Sequence, residues 1–168
     1  MFTLQFPIKE IPHWATQYDY PQEAHIETVI APRVRARGYV DSADLVTLCR
    51  WKSPRIQGRC GRNGSGFVEE VTKVAFSAEN EQLRIEVLTL LQGVSWPMAS
   101  VILHWCHADR YPLLDFRALW SLGIDTPPRY TFDFWWAYVE TCRTLADEAQ
   151  VSMRELDRAL WAYSKFNQ

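Results

Sequence analysis

Cysteine is scarce and scattered in this 168-residue chain: Cys49, Cys60, Cys106 and Cys142 form no C-x-x-C pair. That spacing indicates neither a zinc ribbon nor a disulfide framework, so the four are expected to be reduced and mostly structural. An iron–sulfur cluster needs four clustered thiolates, and the C-terminal region offers only Cys142. No metal and no other cofactor is therefore expected. Long apolar runs are missing too. The opening stretch is interrupted by Pro7, Lys9, Glu10 and Pro12, and nothing approaches the roughly 18 residues of a membrane span. A soluble cytoplasmic protein with no membrane partner is the expectation. Excess charge of one sign is absent as well: the formal net charge is -2, which gives no global sign of a nucleic-acid partner. Internal repeats, low-complexity tracts and any signature of oligomeric state are lacking.

What is present is apolar bulk. The chain is 48% hydrophobic and 14% aromatic, enough for one sizeable core and too little for two large domains. Apolar residues recur at helical spacing after residue 20, whereas sustained alternation does not, so the expected fold class is all-α. The reading is one compact multi-helix domain spanning 1–168, with an arrangement of two lobes around a cleft as the alternative. The spacing predicts a helix from Pro21 to Arg37 with Ile26, Val29 and Ile30 on one face, kinked by Pro32 and stopped by Gly38. A second opens at the Asp41/Ser42 cap, turns Leu45, Leu48 and Cys49 inward and ends before Pro54. The stretch "RCGRNGSG" reads as a flexible loop. Further helices are expected over Phe67 to Phe76, over Asn80 to Leu91 with Leu83, Val87 and Leu90 as an apolar stripe, and over Thr131 to Ala149 after the break at Pro127 and Pro128. The last opens on a capping box of Ser152 and Glu155 and buries Leu156, Leu160 and Tyr163.

The neutral average conceals a basic segment. Arg33, Arg35, Arg37, Arg50, Lys52, Arg55, Arg59 and Arg62 face only Asp41 and Asp44. Such a run could follow a phosphate backbone, or be an ordinary solvated helix face and loop. The stretch "LLQGVSWPMASVILHWC" ends one helix, turns at Gly93, Val94 and Ser95, and enters another, giving a helix-hairpin-helix over about 80–107. A glycine permits the left-handed turn, and unpaired amides at the hairpin can donate to an anion such as a DNA phosphate. A plain αα-hairpin would share this pattern. Within "HWCHAD", His104 and His107 share a helix face, but companions for a closed zinc site are not evident. Lys52, between Trp51 and two arginines, reads as a solvated or phosphate-contacting amine.

Beyond the hairpin, "YPLLDFRALWSLG" sets Asp115 after Leu113 and Leu114 and directly before a helical pattern. Here the sequence resembles the helix-hairpin-helix DNA glycosylase superfamily, the endonuclease-III-like enzymes. Leu91, Gly93 and Val94 match the hairpin, Asp115 matches the aspartate of the loop at 108–123, and Arg117 and Leu122-Gly123 fall in the helix that follows. The position of the catalytic lysine of the bifunctional members is Pro97, in register with Asp115 without a gap. The usual second hairpin glycine is Ser95. The resemblance implies duplex DNA as partner, with Gly93, Val94 and Ser95 of the hairpin as contacts, and the basic segment adds Arg50, Lys52, Arg55, Arg59 and Arg62 as expected contacts. Asp115 would be the catalytic carboxylate that orients water and stabilises the oxocarbenium ion as a base leaves. Pro97 has no amine, so the enzyme would be monofunctional, without lyase chemistry. Extrusion of a damaged or modified base needs an aromatic surface, and Trp96 and Tyr111, beside the motif elements, are the candidates. A non-enzymatic DNA-binding member of the same fold, or a helical protein-interaction module, is the alternative.

Overall fold

Ten α-helices follow one another in the computed structural model, which describes residues 2–20, 23–126 and 128–168. They are α1 (Ile11–Thr16), α2 (Ala31–Arg37), α3 (Ser42–Lys52), α4 (Gln57–Cys60), α5 (Ser65–Ser77), α6 (Glu81–Leu88), α7 (Trp96–Cys106), α8 (Phe116–Ser121), α9 (Phe132–Ala149) and α10 (Met153–Asn167). The described residues contain no strand, and the chain is all-α as expected. Their starts follow from capping: the side chains of Asp41, Asn80, Asp115, Thr131 and Ser152 each accept from the backbone N–H three residues on. Ser152 and Glu155 form the full capping box. The expected helix start at Pro21 and the break at Pro127 lie outside the described residues. The chain divides into two compact units, one made of residues 21–109 and the other of 1–20 with 110–168.

In the 21–109 unit, α7 is buried along most of its length and packs on α2, α3 and α6. Pro32 imposes its kink as a π-helical turn over Ile26–Ile30, just before α2. A proline cannot donate to the carbonyl four residues back and its ring crowds it, so the wider turn relieves both problems. The widened turn returns i+4 rather than i+3 to one face. Ile26 and Ile30 are therefore buried, whereas Val29, expected inside with them, is 41% exposed. Gly38 ends α2 in the left-handed region, as expected.

The stripe expected on α6 is corrected. Leu83 and Leu90 are 49% and 62% exposed and Val87 is half-buried, while Arg84, Ile85, Leu88 and Leu91 are buried. Either rotation buries three aliphatic residues, so apolar area does not choose between them. The Arg84 guanidinium does. It donates to the carbonyls of Ala75 (3.3 Å), Phe76 (3.4 Å) and Ala78 at the end of α5, and pairs with Glu81 at 3.2 Å. The last turn of α5 has no basic residue of its own, and the cation from α6 satisfies its terminal carbonyls.

The cysteines are corrected as well: Cys49 and Cys60 form a disulfide, while Cys106 and Cys142 are free and buried. The chain reverses at Ser53 and Pro54 and brings the two Cα atoms to 6.8 Å, a proximity that linear spacing does not reveal. Burial pushes the Cys106 thiol up to about 12, so it is an inert core group. The expected "RCGRNGSG" loop also carries structure, since α4 ends at Cys60 and Asn63 is buried.

In the other unit, α10 packs on α1, α8 and α9. The N-terminal segment is tied to the end of α8, Thr3 and Gln5 donating to the carbonyls of Leu122 and Ser121 at 2.9 Å each. On α10, Leu156 and Leu160 are buried as expected and Tyr163 is half-buried. No described helix is long and apolar enough to cross a membrane.

Candidate nucleic-acid interface and aspartate loop

The hairpin forms where the sequence puts it, between α6 and α7, with Gly93 at φ 82°. A Cβ at Gly93 would lie 2.7 Å from Cys60 Sγ, 3.0 Å from Cys60 N and 3.3 Å from Arg59 Cβ, so both the backbone angle and the space demand glycine. The turn is thereby docked on the 57–63 segment. Asn63 completes the join: its Nδ2 donates to the carbonyls of Cys60 (2.8 Å) and Gln92 (3.0 Å), and its Oδ1 accepts from Gln92 N at 2.8 Å. The amide of Val94 is spent within the turn on Leu91 O at 3.1 Å, and its side chain is buried. Val94 is thus a packing residue, not the phosphate donor it was expected to be. Gly93 and the exposed Ser95, whose hydroxyl does not cap α7, are what the turn offers an anion.

The basic segment splits into two sets. Arg33 and Arg37 pair with the buried carboxylate of Asp44, Arg37 also reaches Asp41 at 2.7 Å, and Arg35 donates to Trp105 O at 3.3 Å. These three hold α2 in place. Arg50, Arg55, Arg59 and Arg62 are exposed and Lys52 is half-buried. Arg50 bonds Gln57 at 2.7 Å, and Arg59 stands beside Gly93. Two expectations drawn separately, the glycine turn and a basic loop, therefore meet at one place through Arg59, Cys60 and Asn63.

Asp115 is the N-cap of α8, its Oδ1 accepting from Ala118 N at 2.8 Å, and it is half-buried. Burial first, then the nearby Asp115 carboxylate, raises the phenols of Tyr20 and Tyr130 above their ordinary value, so both groups lie within its electrostatic reach. Two residues upstream, Leu113 is clamped by buried side chains. Tyr138 OH donates to its carbonyl at 2.6 Å, and its N–H donates to Asp157 Oδ1 at 3.1 Å. Tyr138 and Asp157 escaped the sequence reading, although a carboxylate between Leu156 and Leu160 on a buried helix face is a signal that it has a polar partner.

The proposed base surface needs revision. Tyr111 is 1% exposed, stacked on Trp135 at 5.8 Å with the Arg143 guanidinium 5.0 Å from its centroid. A ring with no exposed face offers none to a base, so Tyr111 is withdrawn as a candidate. Trp96, the first residue of α7, is half-buried.

Among the described residues no group of histidine, cysteine and carboxylate side chains could hold a metal. His107 packs instead against Arg84 Nη1 and accepts from Asp109 N at 2.9 Å. Burial first, and the Arg84 charge next, hold its imidazole below the ordinary 6.5, although Asp109 and Glu81 act the other way. The folded protein therefore binds fewer protons here than the unfolded chain, and stability is retained above 6.5 and lost as pH falls below it. Urea unfolding midpoints at pH 7.5 and 5 should fall less with acid in His107→Asn than in the wild type; an equal fall would contradict this.

Comparison with protein-family models, with curated proteins and with solved structures finds no match.

Proposed function

We propose that this chain is a monofunctional DNA N-glycosylase acting on a damaged or modified base in duplex DNA. The observation that carries the reading is the glycine turn: Gly93 at φ 82° with Arg59 beside it, at the position where the resemblance calls for a phosphate-gripping hairpin. Arg59 adds an exposed cation beside the amides of Gly93 and Ser95, and Arg55 and Arg62 are exposed in the same stretch of chain; cations and amides together neutralise phosphates and release counterions. Asp115 supplies the carboxylate. Capping α8 uses one of its lone pairs and fixes its orientation, which a group stabilising an oxocarbenium ion requires. Pro97 supplies no amine, so base release leaves an abasic site and no covalent enzyme–DNA adduct forms at that position. The reading assigns no cofactor, and the cytoplasmic expectation goes with it.

One observation favours a second reading. A carboxylate that already caps a helix has a complete structural reason to be there, as in a DNA-binding member of the fold that does no chemistry. A panel of duplexes, each with a single lesion, separates the two. Base release from at least one duplex, seen as strand breaks only after alkali, is the expected result. Retained duplex binding with no release from any lesion would favour the binder.

A further inference from the structure

A second surface lies on the 1–20 and 110–168 unit. Phe116, the residue after Asp115, and Phe166 near the end of α10 are each 57% exposed. Between them runs an alternation of cations and rings. The Arg117 guanidinium is 5.1 Å from the Phe116 centroid and 5.4 Å from that of Trp161, and Lys165 Nζ is 5.2 Å from the Trp161 centroid and 5.7 Å from that of Phe166. Tyr18 and Tyr20 meet Trp161 edge-on at 5.1 and 5.9 Å. Arg154 and Arg158 lie over Tyr18 at 4.9 and 5.8 Å. Arg154, Arg158, Trp161 and Lys165 fall on one face of α10 by their helical spacing. Carboxylates adjoin this face as well, among them Glu155 in the first turn of α10, near Arg158, and Asp19, whose two oxygens each hold Lys165 at 2.6 Å.

We propose that this aromatic and cationic ladder binds single-stranded nucleic acid. Exposed rings flanked by cations match a ligand that presents flat π faces and phosphates in alternation, and only unpaired nucleotides present both. A duplex hides the base faces, and an acidic peptide does not carry a π face and a phosphate at every residue. The Asp19–Lys165 pair fits as a competitor: phosphate must displace the carboxylate from the lysine. This surface does not depend on Asp115 performing chemistry.

The test is fluorescence anisotropy with a labelled oligothymidylate of about a dozen nucleotides, comparable to single-strand site sizes in other proteins, at low and several-fold higher salt. The wild type is expected to bind at low salt and to weaken as salt rises. The double variant Phe116→Ala, Phe166→Ala should lose at least about thirty-fold in oligonucleotide affinity and keep its duplex affinity. Both rings are exposed, and a circular-dichroism melt checks the fold. Asp19→Asn should tighten oligonucleotide binding, a gain that misfolding cannot imitate. No binding at low salt, unchanged affinity in the double variant, an equal loss for duplex, or no gain in Asp19→Asn would overturn the proposal. Oligonucleotide binding with no base release from any lesion would sink the glycosylase reading and leave this one standing.

Discussion

Replacing Gly93 by valine is expected to destabilise the protein by roughly 2–5 kcal/mol and to weaken duplex binding with it. Two effects add. A left-handed backbone angle costs an ordinary residue about 1–2 kcal/mol, and the φ of 82° is fixed by the turn. A Cβ 2.7 Å from the disulfide sulfur of Cys60 and 3.0 Å from backbone forces movement, and overpacking of this kind costs about 1–3 kcal/mol. An internal control separates the terms, because Gly38 has φ 81° and nothing within 4 Å of its would-be Cβ. Gly38→Ala should therefore show the conformational cost alone, and Gly93→Ala that cost plus the steric one. Urea denaturation of the two variants measures the difference. Equal losses would mean that the packing of Gly93 on Cys60 is not what holds the hairpin. The loss of DNA affinity has the same origin, since Arg59 and the Asn63 bridge to Gln92 move with the turn.

The parts of this fold that announce themselves in the sequence are those whose determinants are local. The Asp41 and Ser152 caps, the Gly38 stop and the Gly93 turn need only a short oxygen-bearing side chain or a missing Cβ at the right place, and all are as read. Val29 failed for a local reason, the π turn before Pro32; the rest of what failed depends on partners elsewhere in the fold. The rotation of α6 turns on Arg84 finding the carbonyls at the end of α5, and periodicity weighs leucines without seeing them. The Cys49–Cys60 pairing needs the reversal at Pro54. Tyr111 was a candidate because it stands beside the motif elements and outside any apolar stripe, yet its segment is buried from Tyr111 to Leu114 and held by Tyr138 and Asp157. At the candidate site, Gly93 and Asp115 were legible as residues. The docking of the turn on Arg59 and Asn63 was not, because it is a tertiary contact between a loop and a hairpin.

Asp115→Asn should lose base release by at least about 10²-fold, the lower range for removal of a catalytic general base, while lesion-duplex affinity stays within a factor of about two, as for a substitution that removes no phosphate contact. Asparagine caps helices as well as aspartate does, so the bond to Ala118 N and the start of α8 survive the exchange. Only the negative charge is removed. The outcome thus separates the chemistry proposed for the carboxylate from the capping that the geometry shows. The measurement is single-turnover base release, wild type beside Asp115→Asn, on the lesion duplex that the wild type processes, with binding measured on the same duplex. The account predicts intact binding with release abolished, and strand scission only after added base. A variant that releases the base as fast as the wild type would contradict it, and would leave Asp115 a helix cap and nothing more.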